Sequence, residues 1–197
     1  MRKILVVTYL CLSYLLSDAQ FLSFRGTNSS QFLSDNLYTP DLSHAVGGEV
    51  FFSKPIAFIK LPVNYNIGVN YQSLGTIHEA YFITGLTYVT LTPSGFMFAA
   101  NAESVTMTTN NWLNYVDINM YNGVRIDDTT LVYKMGGELT YNVAYVLSKS
   151  LLLYGGFGGR YHYTPAFKNS EIEAGTSMDI MLKLGILWKF KRRYHKP

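Results

Sequence analysis

The segment from Ile59 to Gln72 constrains the fold more than any other part of the sequence. Its even positions are polar or small, and its odd positions are apolar or aromatic. Successive side chains of a strand point to opposite faces, so the segment predicts a strand with one apolar and one polar face. Strands in globular proteins are typically about 5 to 6 residues long, whereas a tilted strand that crosses a membrane needs about 9 to 11. The length favours a membrane-crossing strand.

Two later segments, 131–147 and 178–190, show the same alternation, and their charged residues all lie on the polar face. Charges on one face only fit a barrel with lipid outside and polar side chains inside. The residues we expect to face lipid are Ile59, Leu61, Val63, Tyr65, Ile67, Val69, Leu139, Tyr141, Ile180, Leu182, Leu184 and Ile186. Leu182→Arg should therefore be costly, and its neighbour Lys183 should be far more permissive.

Five less regular segments complete the predicted fold, which is an all-β, antiparallel, up-and-down transmembrane β-barrel. They lie at about 44–53, 80–92, 96–107, 112–121 and 151–164. With the three regular segments they make about eight strands, an even number as in single-chain bacterial barrels. The predicted barrel spans residues 44–190. Residues 80–102 are uncharged, but Pro93-Ser94-Gly95 interrupts them, which favours a hairpin over a membrane-spanning helix.

The connections predict which ends of the strands lie together. The short segments 109–111 and 148–150 suit the periplasmic side, and the longer segments 122–130 and 165–174 suit the outer side. The short connections near 53–55 and 93–95 do not fit, since strict alternation assigns them to the outer side.

The N-terminus predicts export. Arg2 and Lys3 precede the uncharged apolar segment 4–16, and Ser17-Asp18-Ala19 then supplies small residues for cleavage before Gln20. Residues 1–19 are therefore interpreted as a signal peptide, and its apolar segment is shorter than the roughly 20 residues that span a bilayer. Cys11, the only cysteine, lies within it. Residues 20–43 remain open as a plug, an extra strand or a disordered lead.

Composition agrees with a barrel of this kind. Charged residues make up 15% of the chain, below the usual quarter, and the mean hydropathy of +0.09 excludes a helical membrane protein. We expect an outer-membrane location in a Gram-negative bacterium, with both termini periplasmic. Trp188 and Phe190 end the last strand as an aromatic signal for the barrel-assembly machinery, a partner alongside outer-membrane lipid. The basic tail 191–197 is either a solvated periplasmic extension or a contact for anionic headgroups or a partner.

Few residues indicate chemistry. The four histidines show no metal-ligand spacing, and we expect no cofactor, no metal, no direct nucleic-acid binding and no enzymatic activity. One grouping, His162 with Thr164 and Glu173, faintly resembles the triad of barrel-embedded lipid A deacylases. In such a triad the histidine activates a hydroxyl and the carboxylate orients the imidazole. Those enzymes have serine where this chain has Thr164, and a polar lumen explains His162 equally well.

A family resemblance covers about residues 121–160. The motif Tyr121-Asn122-Gly123-Val124-Arg125-Ile126 is followed by Gly136-Gly137, Leu147-Ser148 and Arg160. This pattern is similar to TraO, the conjugative-transposon protein of Bacteroides and its relatives. The resemblance implies an accessory role in a conjugative DNA-transfer apparatus, with other conjugation proteins as partners. The alternative is a stand-alone small barrel of the OmpX or OmpW type, serving adhesion, protection or a narrow pore, and a lipid-hydrolysing barrel is the third interpretation.

Overall fold

A computed structural model describes residues 21–35, 44–56, 58–96, 98, 104–126, 131–166 and 174–190, and of residues 31–35 it describes the backbone alone. The strands are β1 (Phe21–Asp35), β2 (His44–Pro55), β3 (Val63–Leu74), β4 (Ile77–Pro93), β5 (Thr106–Thr108), β6 (Trp112–Ile126), β7 (Leu131–Val146), β8 (Leu151–Thr164) and β9 (Gly175–Lys189). The predicted signal peptide, the basic tail and Glu173 lie outside the described residues.

Eight of these strands close into an antiparallel β-barrel. Each pairs with its neighbour in the chain, β4 pairs with β6, and β1 pairs with β9 to complete the circle. The strand β5 is an addition that pairs in parallel with the last residues of β4. The barrel is therefore the predicted all-β, up-and-down type, and it has no unpaired sheet edge around its circumference.

The sequence-based assignment of strands was wrong at two places. It omitted one barrel strand and counted another that is not part of the wall, so the predicted number of eight strands is unchanged. The barrel begins at Phe21, not at residue 44, because β1 is a full strand between β2 and β9. The described residues of 96–107, which are 96, 98 and 104–107, contribute no barrel strand, and among them only those of Thr106–Thr108 are extended. Of the possibilities open for residues 20–43, an extra strand is the one that the structure shows.

These two corrections explain the connections that did not fit. We call the end where β1 begins and β9 ends the terminal end, and the opposite end the recess end. The connections at 56–62, 94–111 and 147–150 lie at the terminal end, and those after β1, β3, β6 and β8 lie at the recess end. The short connections near 53–55 and 93–95 therefore lie on the same side as 148–150.

Glycines are required where β8 passes β7. A Cβ on Gly158 would lie 2.0 Å from the carbonyl oxygen of Leu139, and one on Gly156 would lie 2.2 Å from Oδ1 of Asn142. A side chain at position 158 would collide with the backbone of β7, whereas one at position 156 would displace the side chain of Asn142, so Gly158 in particular allows β7 and β8 to approach. Gly75 has a different role, since its φ of 64° forms the tight turn from β3 to β4.

The two faces of the barrel wall differ sharply in charge. Among the described side chains of the eight barrel strands, Lys54 is the only Asp, Glu, Lys or Arg at an outward position, where His44 and His78 also lie. Other charged strand residues point inward, including Lys183 on β9 and Glu138 on β7. The outer face holds exposed apolar and aromatic side chains, as the alternation predicts.

Most of the residues expected to face lipid lie on this outer face. The side chains of Val69, Leu139, Tyr141, Ile180, Leu182, Leu184 and Ile186 are exposed there, and those of Tyr65 and Ile67 are half-buried. Three members of the set, Ile59, Leu61 and Val63, are not exposed on the outer face of the wall as predicted. Ile59 and Leu61 precede the strand, which starts at Val63, and Val63 itself is buried where the preceding connection folds back. The hydrogen bond from Ile56 N to Val63 O, 3.0 Å long, closes that connection.

Candidate functional site

The barrel interior is the candidate site, because it gathers nearly all the Asp, Glu, Lys and Arg side chains of the described strands. Its centre is a middle layer of six buried charged residues from six strands. They are Arg25, Glu49, Asp117, Glu138, Arg160 and Lys183. Each lies on the inward face of its strand because the residues on either side of it face outward.

Glu138 is one hub of the middle layer. Its carboxylate accepts hydrogen bonds from Nη2 of Arg160 at 2.9 Å, from the hydroxyl of Tyr121 at 2.6 Å and from Nζ of Lys183. The Arg160 guanidinium lies 4.1 Å from the centre of the Tyr121 ring, which adds a cation–π contact. The two cations thus share one carboxylate, and the tyrosine both donates to the acid and stacks on the arginine.

Glu49 is the second hub, and it pairs with the same two cations. Its Oε1 lies 3.1 Å from Nη2 of Arg160 and 3.3 Å from Nζ of Lys183, and its Oε2 pairs with Nε of Arg25. Tyr121 also donates to Glu49 at 2.9 Å. A buried ion is tolerated only when partners replace its water, and here each carboxylate serves several cations.

Arg25 extends the middle layer toward the terminal end. Its Nη1 donates to Oδ2 of Asp117 at 2.9 Å, and the same carboxylate accepts from Thr87 at 2.5 Å and from Asn142 at 3.1 Å. The Arg25 guanidinium also lies 4.2 Å from the centre of the Phe51 ring. The contacts of Arg25 span β1, β2 and β6, so they tie distant walls of the barrel together.

An apolar plug fills the interior at the terminal end. Its buried residues are Phe21, Val89, Phe96, Phe98, Val105, Leu113, Tyr115, Ala144, Leu152, Tyr154 and Leu187. Phe96 and Phe98 come from the connection after β4, not from the wall. The Phe98 ring lies 4.6 Å from that of Phe21 and 5.3 Å from that of Tyr115, and its carbonyl accepts from Asn64 at 2.9 Å.

A small polar recess opens at the other end. Lys134 pairs with Glu79 at 2.7 Å, and Asp179 lies 3.2 Å from Nε2 of His162. The recess between these pairs is also lined by Gln72 and has a volume of about 20 Å³. One water molecule needs at least roughly 10 to 15 Å³, so the recess has room for water and not for a solute.

The interior is thus occupied along its length by the recess pairs, the middle layer and the plug. An eight-stranded barrel is just wide enough for its own side chains to fill. In the part of the chain that the structure describes, the side chains of the middle layer and of the plug are almost fully buried inside the barrel. Chemically, this arrangement is a polar core that crosslinks the wall.

The grouping of His162, Thr164 and Glu173 is not assembled by the described contacts. His162 is buried, its Nε2 contacts Asp179, and its ring stacks on Tyr81 with centroids 5.7 Å apart. No hydrogen bond joins His162 to Thr164 among the described residues, and Nδ1 of His162 has no partner there. Glu173 lies outside the described residues. The carboxylate beside His162 is Asp179, whose proximity comes from the pairing of β8 with β9.

The aromatic residues at the chain's end have distinct positions. Trp188 is on the outer face near the end of β9 and half exposed, and Phe190 follows the strand. Their role as an assembly signal stays a prediction. Among the described residues, no three candidate ligands cluster as a metal site, and no helix is sufficiently long and apolar to cross a membrane.

Comparison with solved structures supports the fold. Neisserial surface protein A is similar with a TM-score of 0.60 at 9% identity, over 86% of this chain and 96% of that one. The outer membrane protein AlkL has a TM-score of 0.47 at 11% identity, over 91% and 94% of the two chains. The N-terminal barrel domain of Pseudomonas aeruginosa OprF has a TM-score of 0.45 at 10% identity, over 87% and 98%. Only the first similarity is strong enough for a conclusion, which concerns the fold alone.

No protein-family model matches the chain, and no curated protein matches it. The resemblance to TraO therefore has no support from these comparisons.

Proposed function

We propose that this protein is a stand-alone, non-enzymatic barrel of a Gram-negative outer membrane, of the small OmpX or OmpW type, which acts through its surface. The observation behind the location is the outer face, from which charge is absent apart from Lys54. On β9 this face runs from Met178 to Trp188. At about 3.3 Å per residue and a tilt of roughly 40°, these positions span about 25 Å, the height of the apolar band of outer-membrane barrels.

The closed interior argues against solute transport as the activity. A continuous path would require displacement of the plug at Phe96 and Phe98 and separation of the paired groups around Glu138. Separating these buried ion pairs would leave charges inside the barrel without their counter-charges, which is unfavourable, so we expect the lumen to stay closed. We therefore assign activity to the connections at the recess end, of which those at 165–174 and 36–43 are the longest.

Recording ionic current across a planar phospholipid bilayer that contains the purified protein tests the closed lumen. We expect no stable conductance steps from the native protein. Flotation of the protein with phospholipid vesicles controls for insertion, since the middle layer would still close a variant in which Phe96→Ala and Phe98→Ala weaken the plug. Stable single-channel steps from the native barrel would contradict a closed lumen and favour a narrow pore.

A gentle detergent pull-down from the native membrane tests whether the barrel acts alone. The stand-alone proposal expects the protein in the outer-membrane fraction without stoichiometric partners. Recovery of conjugation-channel proteins would instead support the role that the resemblance at residues 121–160 implies.

We further propose that both termini are periplasmic, which places the recess end outside the cell. A protease added to intact cells should then cleave only connections at the recess end.

A further inference from the structure

The connection between β2 and β3 exposes apolar side chains at the terminal end. It runs through 56–62 between Pro55 and Val63, and the side chain of Phe58 is 90% exposed. Leu61 in the same connection is 52% exposed. By contrast, the connection at 147–150 exposes only Leu147 beside two serines and a lysine, and the one after β4 turns Phe96 and Phe98 inward. A single exposed aromatic side chain is ordinary, but a contiguous apolar patch rimmed by polar residues marks a protein or membrane interaction site.

Hydrogen bonds hold this connection in place. Ile59 N donates to Ile56 O at 3.3 Å, Val63 N donates to Leu61 O at 2.8 Å, and Val89 N donates to Pro62 O at 2.9 Å. The last bond ties the connection to β4. The exposure of Phe58 therefore belongs to a closed turn fixed to the barrel wall and does not come from a loose loop.

The turn lies directly beneath the outer face of the barrel. Val63 pairs with Tyr88, and Tyr65 pairs with Leu86. Tyr88 and Leu86 are both exposed on the outer face. The apolar surface of β3 and β4 thus continues into the turn at the level where an outer-membrane barrel meets the headgroups.

Two lysines give the turn a positive border. Lys60 is exposed between Ile59 and Leu61, and Lys54 is the outward charge at the end of β2. Aromatic and aliphatic side chains flanked by lysines are the composition of segments that lie in a membrane interface, and lysines near such a surface attract anionic lipid headgroups.

We propose that the 56–62 turn is a lipid anchor, which inserts Phe58 and Leu61 into the leaflet at the terminal end and sets its lysines against anionic headgroups. This inference rests on the proposed membrane location. The anchor would fix the depth and tilt of the barrel at one side of its circumference, next to β2, β3 and β4.

Site-specific fluorescence tests the anchor. The chain has one cysteine, so a Cys11→Ser background allows a single cysteine to be labelled with an environment-sensitive fluorophore. The labelled positions are Phe58→Cys, Leu61→Cys, Asn110→Cys in a polar connection at the same end, and Leu182→Cys on the outer face. Each protein is placed in phosphatidylcholine vesicles containing phosphatidylglycerol, and quenching by aqueous iodide and by shallow spin-labelled lipid is measured.

We expect the label at position 58 or 61 to be quenched by spin-labelled lipid, with iodide quenching severalfold weaker than at position 110. Iodide quenching at both 58 and 61 as strong as at 110 overturns the anchor. Protection from iodide without lipid quenching also overturns it, because it would indicate contact with protein. Lipid quenching at position 182 separates the two proposals. If the label at 182 is not quenched by lipid, the barrel itself is not in lipid. If the label at 182 is quenched but those at 58 and 61 are not, only the anchor is wrong.

Discussion

Leu182 and Lys183 are neighbours on β9, yet they occupy opposite environments. The side chain of Leu182 is 62% exposed on the outer face, whereas that of Lys183 is buried between Glu49 and Glu138. The same contrast holds on β7 between Leu139 and its inward neighbour Glu138. The outer face contacts a uniform environment, but each inward residue has particular partners on other strands.

This contrast reverses one sequence-based expectation. Lys183 is not a permissive lumen residue, because its ammonium group is paired with two carboxylates in the middle layer. Lipid accepts any apolar side chain of suitable size, whereas a buried ion requires its own counter-charge. The inner face is therefore the more specific half of the wall, even though it is the polar half.

The sharpest test of the contrast is Glu138→Ala. It removes the carboxylate that Lys183, Arg160 and Tyr121 share, leaving buried cations short of a partner, and should cost about 3 to 5 kcal/mol. Urea unfolding in lipid vesicles, followed by tryptophan fluorescence, would measure it. Leu139→Ala is the outward control, with a smaller expected loss because lipid chains fill the space. Equal losses would mean that the middle layer is not a core.

Phe98→Ala tests whether the plug is packed like a protein core. It removes a buried ring that contacts Phe21 and Tyr115, and truncation of a buried phenylalanine typically costs about 3 to 5 kcal/mol. The same unfolding assay applies. Phe157→Ala, on the outer face where Phe157 is exposed, should cost clearly less. A loss at position 98 no larger than at 157 would show a loose plug.

Leu182→Arg tests the outer face. A cation near the middle of the lipid-facing band should cost about 2 to 4 kcal/mol. Leu182→Met keeps the apolar character and should be close to neutral. The comparison of their unfolding free energies in vesicles decides the point, and an arginine as well tolerated as methionine would argue that this face is not in lipid.

The smallest expected effect separates two tyrosines. The hydroxyl of Tyr154 is 2.7 Å from Oγ of Ser23 in the buried interior, so Tyr154→Phe should cost about 0.5 to 1.5 kcal/mol. Tyr141 lies on the outer face, and Tyr141→Phe should stay within about 0.5 kcal/mol of the native protein. Both are measured as shifts in the urea midpoint; a larger effect at 141 would contradict the assignment of faces.

Local periodicity was sufficient for some strands and misleading for others. It identified β7 and β9 because their inward charges contrast with apolar outward neighbours. It missed β1, whose outward face includes Asn28 and Ser30 and whose inward face includes Arg25, so the two faces look alike in sequence. It also assigned residues 96–107 to the wall, because Phe96 and Phe98 alternate as lipid-facing residues do.

The site was predictable in kind and not in detail. Lys183 and Glu138 were expected to face a polar lumen, but their pairing joins strands 45 positions apart in the chain. The carboxylate beside His162 could not be found from nearby residues either, since Asp179 reaches it only through the register of β8 and β9.

The sequence by itself determined that this chain makes long two-faced strands, with charge on one face only. It could do so because side chains two residues apart in a strand point to the same face. Only the tertiary structure decided that β1 closes the barrel, that the connection after β4 turns inward as a plug, and which cations share Glu49 and Glu138. Those outcomes depend on hydrogen bonds and charge pairs between strands far apart in the chain, and a local sequence pattern does not identify such partners.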